Sequence, residues 1–240
     1  MTTLVVGATG ATGRLLVAQL LARGQKVRVI VREKSSFPDS LTNHESISII
    51  EASVLNLSDA EMVQHVKGCD AIASCLGHNL TFKGMFGQPR RLVADATRRL
   101  CNAVKACQSE KSVKFVLMNT TGNRNRDLFE PISFAQKCVI LLLRLLLPPH
   151  VDNEKAADYL RTYIGQNNNI IEWSAVRPDG LIDEREVTAY EVYASPTRSA
   201  IFDAGSTSRI NVGHFMAELI TDQAVWSKWK GKMPVIYNKS

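Results

Sequence analysis

Paired cysteine motifs are missing from this chain. Its five cysteines, Cys69, Cys75, Cys101, Cys107 and Cys138, include no C-x-x-C pair and are odd in number, which argues against a zinc site or a disulfide framework. The five histidines are scattered, with no two spaced as ligands on one helix face, so no metal is expected. A basic tract is missing too. The formal charge is +6, but Lys and Arg are interspersed with acidic residues, so nucleic acid is not an expected partner. No apolar run is long enough to span a bilayer. The strongest, from Cys138 to Leu147, is interrupted by Arg144 and stopped by Pro148-Pro149. It reads as a helix buried on most sides, with a subunit interface as one way to bury it, and no membrane partner is expected. No charged n-region, apolar core and cleavage site precede the first strand pattern, so a cytoplasmic location is expected.

What is present begins at residue 2. The apolar run Thr2-Thr3-Leu4-Val5-Val6 leads into Gly7-Ala8-Thr9-Gly10-Ala11-Thr12-Gly13 and then the amphipathic stretch from Arg14 to Leu21. Strand, glycine-rich turn and helix in that order bind a dinucleotide pyrophosphate. Gly7 takes the tight turn, Gly10 leaves room for a phosphate against the main chain, and Gly13 lets the helix pack closely on the sheet. Gly7, Thr9, Gly10, Ala11, Thr12 and Gly13 are therefore candidate cofactor-binding residues, with free N–H groups and the helix dipole facing the phosphates.

The rest of the chain alternates. Gly24 closes the first helix, and strands are expected over Lys26–Val31, Ile47–Ile50, Ala71–Cys75, Lys114–Met118 and Ile171–Val176. Helices are expected over Ser58–Val66, Arg91–Cys107, Asn153–Ile164 and Ile210–Thr221. This order specifies an α/β fold: one Rossmann-like domain over residues 1–240, a doubly wound parallel sheet with helices on both faces. The irregular stretch 179–209 reads as a small C-terminal segment on the substrate side of the cleft.

Cofactor choice is read at the end of the second strand. An NAD site places Asp or Glu there for the ribose 2′-hydroxyl, whereas this chain has Arg32, with Lys34 and Ser35 close behind. A guanidinium suits a 2′-phosphate, which makes NADP(H) the expected cofactor.

The opening glycine motif, Arg32, Cys75-Leu76-Gly77 and Val176-Arg177-Pro178 together resemble the atypical short-chain dehydrogenase/reductases. Within them the chain is similar to the NAD(P)H-binding group that includes biliverdin IXβ/flavin reductases and NmrA-like redox sensors. The resemblance implies that Ser53 and Val54 contact the adenine, that Leu76 and Gly77 lie along the cofactor ribose, and that Arg177 and Pro178 lie near the nicotinamide. Members often carry Asp where this chain has Ser53.

Typical members of the superfamily also use a Ser or Thr after strand five and a Tyr-x-x-x-Lys motif. Here Thr120 supplies the hydroxyl, but the motif reads Val151-Asp152-Asn153-Glu154-Lys155 and its tyrosine is missing. Thr120 and Lys155 are the candidate catalytic residues, Lys155 as a ribose ligand with a surface helix cation as its alternative. His150 and Tyr159 are candidate substitutes for the lost acid. Without that acid, hydride transfer to a conjugated acceptor such as a flavin, quinone or enone is favoured over reduction of an isolated ketone, because the accepted charge delocalises. The expected partner is a small-molecule substrate, held in a pocket lined by residues 78–90 and 179–205, and the chain is expected to be a monomer or homodimer. A non-catalytic NADP(H)-binding sensor, and an isomerase or lyase on the same fold, are the alternatives.

Overall fold

A computed structural model of the protein describes residues 1–78, 81, 86–109 and 111–239. Strands β1 (Thr2–Val6), β2 (Lys26–Val31), β3 (Ile47–Glu51), β4 (Ala71–Ser74), β5 (Val113–Met118) and β6 (Ile171–Pro178) pair in parallel in the spatial order β3-β2-β1-β4-β5-β6. The sequence pattern anticipates all six to within two residues at either end. Because β1 pairs with both β2 and β4, the direction of winding reverses there and a crevice opens beyond the carboxyl ends of the strands.

Alternation along the strands sorts the core into two layers. Leu4, Val6, Ile72, Phe115 and Trp173 face one side and pack on helices α3 (Asp59–Val66) and α4 (Leu92–Ala106). Val5, Val29, Val116 and Val176 face the other, toward α1 (Ala11–Ala22). Ser58 caps α3 in the expected way: its hydroxyl accepts from the Glu61 amide while the Glu61 carboxylate accepts from the Ser58 amide at 2.7 Å.

Three short elements fall within the irregular stretch: β7 (Gly180–Ile182), β8 (Tyr190–Tyr193) and β9 (Ser206–Ser208). β7 and β9 form a separate two-stranded ribbon. The main sheet is extended by β10 (Val235–Asn238), parallel to β6, and by β8, antiparallel to β10. These were not legible as strands, since they lie beyond Pro178, where the regular alternation of strand and helix patterns ends. The C-terminal tryptophans act as core cover: Trp226 and Trp229 sit buried with Phe215 under the α1 layer.

Two expectations are corrected between β5 and β6. The apolar run forms α5 (Phe134–Leu146), capped by Ser133, but it is not buried on most sides: among its residues only Gln136 and Ile140 are buried, and Leu141, Leu142, Leu145 and Leu146 are exposed. A helix apolar nearly all round has more apolar surface than one contact face can cover. Pro148-Pro149 stops α5 but also opens the next helix, α6 (Pro148–Asp158), which therefore starts five residues before the expected Asn153. Proline is well placed in a first turn, where its missing N–H costs nothing. A wider turn, Tyr159–Ile164, continues α6 to Gly165. Helices α2 (Asp39–Thr42), α7 (Arg209–Thr221) and α8 (Gln223–Trp229) complete the set among the described residues.

The end of β6 is fixed by a buried charge. Arg177 is fully buried and makes a two-pronged pair with Glu130, at 2.7 and 3.1 Å, while its remaining N–H groups donate to the carbonyls of Met233, Asn123 and Ala194. One guanidinium thus ties together the loop after β5, the entry to β10 and the exit from β8. Arg177→Ala would strand a buried carboxylate, at a cost of about 3–5 kcal/mol. The expected result is a melting temperature lower by about 10 °C in a thermal scan; an unchanged transition would contradict this role.

Candidate functional site

The first turn has the geometry that the glycines foretell. Gly7 adopts φ +75°, a left-handed conformation, and a Cβ there would lie 2.5 Å from the Cys75 backbone. A Cβ on Gly13 would lie 2.1 Å from the Gly7 carbonyl oxygen, so α1 approaches the turn as closely as only glycine allows. Gly10 is the N-cap of α1; no side chain caps it and no acidic residue occupies the first turn. A helix N-terminus with unanswered backbone N–H groups and no competing carboxylate is an anion site.

From this turn a cleft of about 270 Å³ runs across the ends of β1 to β4. The structure brings Gly7, Thr9, Gly10, Arg32, Ser53, Val54, Leu76 and Gly77 together along its walls. These eight come from four separate places in the sequence. Ala11, Thr12 and Gly13 continue into α1 and do not line it. At one end Arg32 is exposed at the tip of β2. The loop holding Ser53 and Val54 is fixed from behind by Arg99 of α4, which donates to the carbonyls of Val54 at 3.1 Å and Leu55 at 2.7 Å, and to that of Leu57. This cradle fits a dinucleotide: a Cβ-free turn for the pyrophosphate, an exposed cation at one ribose, and partly apolar walls in Ile30, Val54 and Leu92.

The wall beyond Gly77 is built from the segment that follows β4. His78, Gln88 and Pro89 line the cleft; residues 79, 80 and 82–85 of the expected pocket segment 78–90 lie outside the described residues. His78 Nε2 is 2.8 Å from Asp152 Oδ2. Asp152 is 1 % exposed and also accepts from the backbone amides of Val93 at 2.8 Å and Ala94 at 3.0 Å. It therefore caps α4 from another helix while setting the imidazole against the cleft. Asp152 stands one place after the missing tyrosine, and that position was the available signal.

Thr120 lies in the loop after β5, where its amide donates to Asn119 Oδ1 and its hydroxyl accepts from the Gly122 amide at 3.3 Å. A Cβ on Gly122 would meet both Thr120 Oγ1 and the His150 ring, at 3.7 and 3.6 Å, so these two groups share one face of the loop. Behind them His150 Nε2 is 3.5 Å from Glu154 Oε1. Burial raises the Glu154 pKa, but the neighbouring His150 and the hydrogen bonds from Arg144 outweigh it and bring it down to about 2. The neighbouring Thr121 donates from its buried hydroxyl to Asp179 Oδ1 at 3.0 Å.

Other candidates are placed elsewhere. Lys155 is on the exposed side of α6 and does not line the cleft. The Arg177 side chain is spent on Glu130, and the Pro178 carbonyl accepts from the Thr121 amide at 3.1 Å. Tyr159 stacks on Tyr163 and donates to Asn102, against α4. A second cavity of about 280 Å³, lined by Cys69, Asp70 and Cys107, opens at the amino ends of β4 and β5, away from the glycine-rich turn after β1.

A cleft at the winding reversal, a bare helix N-terminus and a Cβ-free turn define a dinucleotide-binding Rossmann-like protein. The chain belongs to the NAD(P)H-binding family, which it matches over residues 7–223. Solved structures similar to it include an oxidoreductase from Lactococcus lactis, 18% identical, with a TM-score of 0.71 over 100% of this chain and 92% of that one. A short-chain dehydrogenase/reductase (wide type) from Veillonella parvula in complex with NADP is 16% identical, with a TM-score of 0.71 over 100% and 95%. An anaerobillin reductase from Escherichia coli O157:H7 is 15% identical, with a TM-score of 0.68 over 100% and 98%.

Asp152→Ala would orphan two buried amides and release His78. It is expected to cost about 1–3 kcal/mol in chemical denaturation and to weaken NAD(P)H binding in a fluorescence titration, because Leu92 at the start of α4 is part of the cleft wall. Unchanged stability and affinity would contradict the cap.

Proposed function

We propose that the protein is an NADPH-dependent oxidoreductase that reduces a conjugated acceptor of the flavin, quinone or enone type. The observation that carries this reading is the combination of an exposed Arg32 at one end of the cleft with no tyrosine among the described residues that line it. Arg32 offers two parallel N–H groups to a 2′-phosphate, and no carboxylate stands there to receive a 2′-hydroxyl through the cleft wall.

When bound, the nicotinamide supplies the hydride, and the acceptor spreads the arriving charge over its conjugated system. The chain's part is to bind, orient and exclude water. The glycine turn and the α1 N-terminus hold the pyrophosphate; Ser53 and Val54 take the adenine; Leu76 and Gly77 run along the ribose, with Pro178 and the backbone of Arg177 toward the nicotinamide. Thr120 is the hydroxyl nearest the reacting centre, with His150 beside it as a proton source that Glu154 orients. Lys155 serves the ribose only if α6 turns toward the cleft on binding. Residues 179–205 bound the substrate side, within a single domain acting in the cytoplasm as a monomer or homodimer.

The test is NADPH oxidation by the purified chain against a panel of flavins, quinones and enones. Turnover of at least one class is expected. Tight NADPH binding with no turnover across the panel would overturn the reductase reading in favour of an NADP(H)-binding sensor. Arg32→Ala should weaken NADPH by about ten-fold or more, the worth of a charge-assisted pair, and leave NADH nearly unchanged; equal losses would refute the 2′-phosphate contact.

A further inference from the structure

The imidazole of His78 is held in one orientation at the cleft wall. Asp152 Oδ1 accepts from the Ala94 amide at 3.0 Å and Oδ2 from the Val93 amide at 2.8 Å, so both oxygens act as acceptors and the 2.8 Å contact with His78 Nε2 is a donation from the ring. The Asp152 side chain is fully buried and the imidazole is 5% exposed, which leaves the ring little room to turn. With the proton fixed on Nε2, Nδ1 is the nitrogen that a molecule in the cleft would bond. The next residue along α6 joins this pair to the loop after β5: the Asn153 carbonyl accepts from Asn119 Nδ2 at 3.0 Å, and Asn119 in turn accepts from the Thr120 amide.

The order of strands says which part of a dinucleotide meets this ring. Arg32 follows β2 and Ser53 follows β3, on one side of the glycine turn after β1, whereas His78 follows β4, on the other side. A dinucleotide with its 2′-phosphate at Arg32 and its pyrophosphate at the turn therefore brings its second ribose over the end of β4. On that side His78 and Gln88 are the nitrogen- or oxygen-bearing side chains that line the cleft among the described residues, and Gln88 Oε1 accepts from the Arg90 amide at 3.4 Å. Lys155, the ribose ligand expected from the sequence, lies on the exposed side of α6 and away from the cleft wall.

We propose that His78 binds the ribose of the nicotinamide half of the cofactor, with Nδ1 hydrogen-bonded to a ribose hydroxyl and the ring set in place by Asp152. A hydroxyl both donates and accepts, so the bond forms with the neutral or the protonated ring. Every nicotinamide dinucleotide carries that ribose. His78 thus contributes to affinity for NADP(H) and NAD(H) alike, while Arg32 chooses between them. The assignment rests on the cleft being a dinucleotide site with its 2′-phosphate end at Arg32, and it is independent of which acceptor is reduced.

The test is a calorimetric titration with NADP+, NAD+ and 2′,5′-ADP, a fragment that has the adenosine end and no second ribose, on the wild-type chain and two variants, each followed by a thermal scan. A Gln side-chain amide reaches the place of Nε2, and an Asn amide the place of Nδ1. His78→Gln keeps a donor for Asp152 and withdraws the ribose contact, so NADP+ and NAD+ are each expected to weaken about ten-fold, the worth of one hydrogen bond, with 2′,5′-ADP affinity and melting temperature unchanged. His78→Asn gives up the Asp152 contact and keeps the ribose contact, so a lower melting temperature is expected with NADP+ affinity held within about three-fold. The reverse order, with His78→Gln binding as the wild type and His78→Asn weakened, would make the ring a structural partner of Asp152 and overturn the proposal. So would a loss in His78→Gln that 2′,5′-ADP shares, which would put the ring at the adenosine end. Either result leaves the cleft as a nucleotide site; no binding of any of the three by the wild-type chain would remove that reading and the proposal with it.

Discussion

The cleft depends on how closely α1 approaches the turn that leaves β1. With no Cβ on Gly13, the first turn of the helix rests against the Gly7 carbonyl, and its uncapped N-terminus opens at the point where the sheet reverses its winding. A methyl group there would have to displace backbone, since the atom it meets at 2.1 Å is a carbonyl oxygen and not a side-chain tip. On the other side of α1, a Cβ on Gly213 would be 3.0 Å from the Leu16 amide nitrogen, so α7 too is drawn in close. One helix is thereby fixed on two sides by missing side chains.

Around that rigid turn the loops are held by buried charges. Arg177 with Glu130, Asp152 under the start of α4, Asp179 between the Thr121 hydroxyl and the Gly205 amide, and Arg99 behind Ser53 each bind groups from segments distant in sequence. A buried ion pair is weak evidence of net stability, because desolvation offsets much of its attraction. It does fix geometry, since each partner has few ways to satisfy its hydrogen bonds. The walls of the cleft are thus positioned by polar contacts, and its floor by the apolar layers of the sheet.

The parallel sheet was legible because its strands are apolar runs bounded by turn formers, and the glycine turn because each glycine answers a specific steric demand. Eight of the proposed cofactor contacts meet in one cleft for that reason. What was not legible depends on distant partners. Arg177 sits in a motif that the resemblance places by the nicotinamide, yet nothing near it in sequence reveals Glu130, 47 residues away. His78 and Asp152 are 74 residues apart, and nothing near either in sequence reveals the other. The exposure of α5 was hidden because a continuous apolar run reads alike whether a helix is buried or left open.

The central claim is that this cleft holds a dinucleotide carrying a 2′-phosphate. A calorimetric titration of the purified, unmodified chain with NADPH and with NADH tests it most directly. The account predicts saturable one-site binding with NADPH clearly tighter than NADH. Equal affinities would contradict the role of Arg32, and no binding of either would contradict the cleft as a nucleotide site.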